Sequence, residues 1–89
     1  MNILNSFYSN IIGGRFMKIS YAPFWKTLQE KGLSQYVLIN KMGVRTSLLH
    51  KLRHNLDVRL STLADLCDIL DCQIDDVVVF IEDKEKVKS

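Results

Sequence analysis

The chain has 89 residues, 47% hydrophobic and 25% charged, with one proline and four glycines. That balance fits one folded globular domain and excludes low-complexity disorder, a second core or a large substrate cleft. The formal net charge of +2 conceals an asymmetry: residues 40–60 carry Lys41, Arg45, Lys51, Arg53 and Arg59 against Asp57 alone, whereas residues 65–83 carry Asp65, Asp68, Asp71, Asp75, Asp76, Glu82 and Asp83 with no Lys or Arg, so the middle suits an anionic partner and the far end does not.

In chain order, "MNILNSFYSNIIGGRF" (1–16) is apolar and Asn/Ser-rich, lacks a basic n-region and is too short to span a bilayer. It reads as an N-terminal extension and not as a signal peptide or membrane anchor. Met17 opens a second plausible start, because Gly13-Gly14 can be encoded by a purine-rich stretch placed as a bacterial ribosome-binding site would be. The expectation is that residues 1–16 reflect the choice of start site in part; an intact mass of full length from the native source would exclude it.

"MKISY" is strand-like. Pro23 suits the first turn of a helix, since its missing N–H is one that no helix start satisfies internally; the helix runs to Gly32 with Phe24 and Leu28 inward and Trp25 alongside. Ser34 is placed to cap a second helix of about eight residues, with Leu38 and Met42 as its apolar stripe and Gly43 as its stop. A third helix is predicted from Thr46 to His54, with Leu48, Leu49 and Leu52 inward. After the loop "NLDVRL", Ser61 is the expected cap of a fourth helix, whose Leu63, Leu66, Cys67 and Leu70 follow i, i+3, i+4, i+7. Asp71 stands where glycine or asparagine would end a helix best. Ile74 is expected to return to the core, and Asp75 and Asp76 favour the start of a short fifth helix through its dipole. The β-branched run of "VVVFIE" (77–82) is expected to close that helix and become a strand paired with "MKISY". Lys84 to Ser89 is expected to be a solvated tail.

Residues 35–54 form a twenty-residue unit with Gln35 first, Leu38 fourth, Met42 eighth, Gly43 ninth, Val44 tenth, Leu49 fifteenth and Leu52 eighteenth. Two helices crossing steeply over a tight turn need apolar contacts at such places and a residue tolerating positive φ at the ninth. This spacing resembles the helix-turn-helix of the lambda-repressor and Cro-like (XRE) family, and with "LSTLADLCDILDCQIDDVV" and the Pro23 helix the likeness covers roughly residues 18–80. It is nearest to the compact stand-alone bacterial or phage regulators. The resemblance implies an all-α, five-helix, lambda-repressor-like DNA-binding domain over residues 17–83, with a small β pairing between its two ends. Two positions depart from the family pattern: Ile39 stands where alanine is usual, and Arg53 where many relatives hold a glutamate paired with a basic residue on helix one, here Leu28.

On a helical wheel, Thr46, Ser47, His50, Lys51 and His54 lie opposite Leu48, Leu49 and Leu52. In such folds that outward face enters the major groove. Lys51 can reach guanine O6 and N7, Thr46 and Ser47 can donate or accept, and His50 can do either according to its protonation. Gln35 matches the family position that touches a backbone phosphate. Arg45 can hold a phosphate or a base, while Arg53, His54 and Asn55 lie nearer the strand backbone. Each has a plainer reading: Thr46, Ser47 and Gln35 as helix-start residues, and Lys51, Arg53 and Arg59 as solvated charges.

His50 and His54 have the i,i+4 spacing of a helical metal pair. With no third histidine and no Glu between them, no metal or other cofactor is expected. Cys67 and Cys72 form no CxxC pattern and read as small apolar residues in a reducing compartment. No nucleophile arrangement points to an enzyme. The sequence therefore points to a cytoplasmic, sequence-specific regulator of double-stranded DNA, a repressor acting as a homodimer without contact to a membrane. Either the N-terminal segment or "VVVFIE" would supply the dimer contact. The alternatives are a protein-interaction module on the same fold, an antitoxin or an adaptor using its acidic end, and a metal-responsive protein using the two histidines.

Overall fold

The computed structural model describes residues 17–82. The extension at 1–16 and the tail at 84–89 lie outside them. Strand β1 (Met17–Ser20) is followed by helices α1 (Ala22–Lys31), α2 (Gln35–Asn40), α3 (Thr46–Arg53) and α4 (Leu60–Leu70), a single 3-10 turn (Ile74–Asp76) and strand β2 (Val79–Glu82). The strands pair antiparallel, with Met17 opposite Glu82 and Ser20 opposite Val79. The described part is thus mostly helical, with a small two-stranded sheet joining its two ends.

A left-handed residue ends each of the two longer helices, α1 and α4. Gly32 (φ 68°) closes α1, with its own N–H on Gln29 O and the Leu33 N–H on Leu28 O, the paired bonds that satisfy a helix's last carbonyls. Asp71 (φ 55°) repeats this after α4: its N–H reaches Asp68 O, and that of Cys72 reaches Cys67 O. Gly43 (φ 77°) makes the α2–α3 turn. Ser34 caps α2 as expected, its Oγ accepting from Val37 N–H at 3.2 Å.

The core gathers one to three residues from each helical region and its turns: Tyr21, Phe24 and Leu28 from the α1 region, Leu38 from α2, Val44 from the turn, Leu49 and Leu52 from α3, Leu63, Leu66 and Leu70 from α4, and Val77 before β2. Ile19, Ile39, Met42, Leu48 and Cys67 pack around its margin. Two buried hydroxyls tie loops to this core. Tyr21 Oη donates to Leu56 O at 2.7 Å while its backbone N–H reaches Asn55 Oδ1 at 2.9 Å, and Thr27 Oγ1 donates to Asp76 O at 2.7 Å. Burial, and then the charge of Asp57, raise the Tyr21 phenol above its ordinary value.

Three expectations are corrected. The fifth helix is only the 3-10 turn, because the Asp76 carboxylate reaches back to the Gln73 N–H at 3.1 Å and closes a capping box within one turn, and the β-branched run that follows favours extended backbone. Ile74 does not return to the core; it is 47% exposed, and Val77 fills that place instead. Ser61 does not cap α4; the helix begins at Leu60, two residues earlier than that cap would set it, with Arg59 at the cap position and no side-chain cap bond.

Candidate nucleic-acid interface

Helix α3 is fixed by what it buries. Leu49 and Leu52 are 2% and 0% exposed, and Leu48 packs at the margin. At ~100° per residue this turns Thr46, Ser47, His50 and Lys51 to solvent, and all four are exposed. Its start is set by Arg45 in extended conformation (φ −78°, ψ 145°), and no side-chain cap bond forms there. Thr46 and Ser47 are the first two residues of the helix, as their plainer reading had it, but neither stands at the cap position.

At the other end of α3, Asn55 (φ 57°) takes the left-handed position and the Leu56 N–H bonds Lys51 O at 2.9 Å. The Asn55 side-chain carbonyl is occupied by the Tyr21 N–H, which gives this exposed residue a structural duty. The His50 and His54 rings lie with centroids 4.3 Å apart and planes tilted by 49°. Among the described residues, no group of three or more His, Cys, Asp or Glu is placed to hold a metal ion.

Gln35 and Arg53, expected as separate backbone contacts, are brought together. Arg53 Nη2 donates to Gln35 Oε1, and its guanidinium carbon lies 5.2 Å from the centroid of the Trp25 ring. Trp25 is held edge-on against buried Phe24, centroids 4.8 Å apart and planes at 81°. One side chain thus joins α1, α2 and α3. The missing acid–base pair between helix one and the end of helix three is replaced by a cation on an aromatic face and a neutral amide. Leu28, the residue at the family's basic position, is 4% exposed and belongs to the core.

On the opposite flank of α3 an open groove of about 570 Å³ runs between α3 and α4. Arg45, Ser47 and Lys51 line one side, and Arg59, Thr62 and Asp65 the other. Three cations against one carboxylate make it a favourable place for an anion. Arg59 was not among the expected contacts; its only signal was membership in the basic run, which periodicity cannot aim. Tyr36 is 67% exposed beside Gln35. All nine expected site residues are exposed. Thr46, Ser47, His50 and Lys51 share the α3 face, Arg45, Ser47 and Lys51 line its groove, Gln35 pairs with Arg53, and His54 and Asn55 stand at the helix end.

A family model described as the Cro/C1-type HTH DNA-binding domain matches residues 24–83. The chain belongs to that family. Its match begins inside α1 and runs through β2, so it takes in α2 and α3 whole. Among solved structures, the transcriptional regulator VanUg, in a crystal form designated II, is similar at 30% sequence identity with a TM-score of 0.67, over 75% of this chain and 89% of that one. No curated protein matches. As a Cro/C1-type domain the chain is a helix-turn-helix DNA-binding regulator and not an enzyme. No described helix is long and apolar enough to cross a membrane.

Proposed function

We propose that this Cro/C1-type domain is a cytoplasmic repressor that places α3 in the major groove of double-stranded DNA and reads a half-site with Thr46, Ser47, His50 and Lys51. The observation that carries the reading is the division of α3 itself. Its apolar side chains are consumed by the core, while its outward polar ones are exposed and make no hydrogen bond among the described residues. Lys51 supplies a donor for guanine, and the two hydroxyls and His50 supply adaptable contacts. Flanking positive charge supports the same reading: Arg53 with Gln35 on one side of the helix, and Arg45 and Arg59 on the other, suit two stretches of phosphate backbone. One helix reading a few base pairs binds weakly, so two copies on half-sites ~34 Å apart complete the proposal.

The test is selection of bound duplexes from a random pool, followed by titration of the preferred site and a scrambled one over rising salt. A preferred palindromic sequence with strongly salt-dependent affinity is expected. An absence of binding to any duplex at low salt would remove the DNA reading in favour of a protein-interaction module.

A further inference from the structure

Among the described residues, β2 holds the one run of consecutive exposed large apolar side chains. Val79 is 43%, Phe80 64% and Ile81 41% exposed, three consecutive large apolar side chains in a four-residue strand. Among the described residues the sheet is only two strands wide, so β2 has β1 on one edge and no strand on the other. A strand of this kind, without charge over three residues, is a template for another strand. Among the described residues β1 also has no strand on its other edge, but it carries Lys18 among its four residues, and Met17 is its one exposed large apolar residue.

The geometry points to a second copy of this chain as the occupant, with β2 pairing antiparallel to its own symmetry mate to make a four-stranded sheet in the order β1-β2-β2-β1. Symmetry restricts the register. A twofold axis normal to a sheet keeps each side chain on its own face, while successive residues alternate faces. The axis must therefore pass beside a residue that faces itself. With Val79 at the axis, Ile81 would face Val77, which is 0% exposed and already in the core. With Ile81 there, Phe80 would face the acidic Glu82. With Phe80 at the axis, Phe80 meets Phe80 and each Ile81 meets a Val79, so all three apolar residues find apolar partners. Because Ile19 pairs with Phe80 within each sheet and packs against the core, the central row becomes Ile19–Phe80–Phe80–Ile19. That row continues the core of one copy into the other.

Three side chains and a short strand edge cover less than the roughly 800 Å² per partner of a standard interface. The free dimer is accordingly weak, with a dissociation constant in the micromolar range or above, and DNA carrying two half-sites tightens it. Choosing a second copy as the occupant rests on the DNA-binding reading, which calls for paired half-site readers. The two are tested separately.

Sedimentation equilibrium of the full chain without DNA should show a reversible dimer, and Phe80→Asp should weaken it by at least about tenfold. The circular dichroism spectrum and binding to a duplex holding one half-site should stay unchanged. In a Cys67→Ala/Cys72→Ala background, Phe80→Cys should give a covalent dimer on oxidation with copper–phenanthroline, and Ile81→Cys should not, since it faces Val79. A chain that stays monomeric at every concentration overturns the proposal. So does a dimer indifferent to Phe80→Asp, or Ile81→Cys linking as readily as Phe80→Cys. Failure of the DNA reading shows elsewhere, as lost half-site binding by the unaltered chain.

Discussion

Replacing Arg53 with alanine separates the two duties given to it. In the free protein its guanidinium lies over Trp25 and donates to Gln35. At an exposed site a cation–aromatic contact contributes about 0.5–1 kcal/mol, and a hydrogen bond open to water adds no more than about that again. Both are lost together, so Arg53→Ala should destabilise the fold by about 1 kcal/mol, a fall in Tm of roughly 4–8 °C for a domain of this size. On DNA, one lost phosphate contact should lower the slope of log K against log salt by about 0.9. Arg53→Lys keeps the charge without the planar fork; it should lose most of the stability and little of the slope. Gln35→Ala, which removes no charge, should leave the slope alone. The assays are thermal melting by circular dichroism and fluorescence anisotropy on a labelled duplex across a salt series. If Arg53→Ala lowers Tm but leaves the salt slope intact, Arg53 is a strut among three helices and contacts no DNA.

Lys51→Ala should cost about 1–3 kcal/mol on the preferred site and relax preference at one base pair, whereas Gln35→Ala should weaken all sequences alike; equal losses on every duplex from both would reduce Lys51 to a phosphate contact. The left-handed positions give a pair of opposite signs in urea denaturation. Gly43→Ala should destabilise by about 1–2 kcal/mol through backbone strain alone, since no atom lies within 4 Å of the added Cβ, while Asp71→Gly, relieving the same strain at φ 55°, should stabilise by up to about 1 kcal/mol. Burial, with smaller contributions from neighbouring Cys67 and Asp76, pushes the Cys72 thiol up to about 11. The unfolded chain gives up that proton first. The contribution is therefore complete below the ordinary thiol value and is lost as pH rises toward about 11; urea midpoints should fall over that range, less steeply in Cys72→Ser, and equal slopes in the two would refute the assignment.

Most of the frame was legible because it is written in short-range chemistry. Ser34 before "QYVLIN" is a cap wherever it stands, Gly32 and Gly43 mark left-handed turns, and the spacing of Leu49 and Leu52 leaves one choice of inner face. The pairing of "MKISY" with "VVVFIE" was also legible, since these were the two strand-like segments and each needed a partner. What was lost depended on competition or distance. The two aspartates at 75 and 76 favour a helix start, but nothing local says that Asp76 will turn back on Gln73 or that Val77 will outcompete Ile74 for the core. At the interface, periodicity put Thr46, Ser47, His50 and Lys51 on one face. It was silent on Arg53 finding Trp25, twenty-eight positions away in the chain, or on Arg59 reaching the α3 groove, because long flexible side chains choose neighbours only once the fold exists.

Tyr21 holds the loop after α3 by both its phenol and its backbone N–H, while Val44 and Gly43 fix the turn before it. The helix is thus gripped at its two ends and along its leucine side, by groups that are not Thr46, Ser47, His50 or Lys51. Those four positions can be exchanged without asking the fold to adjust. On the proposed reading of these four positions, a lineage carrying this scaffold would drift from one operator to another by substitution at the surface, and the same freedom would make them a natural library for engineering new DNA preferences.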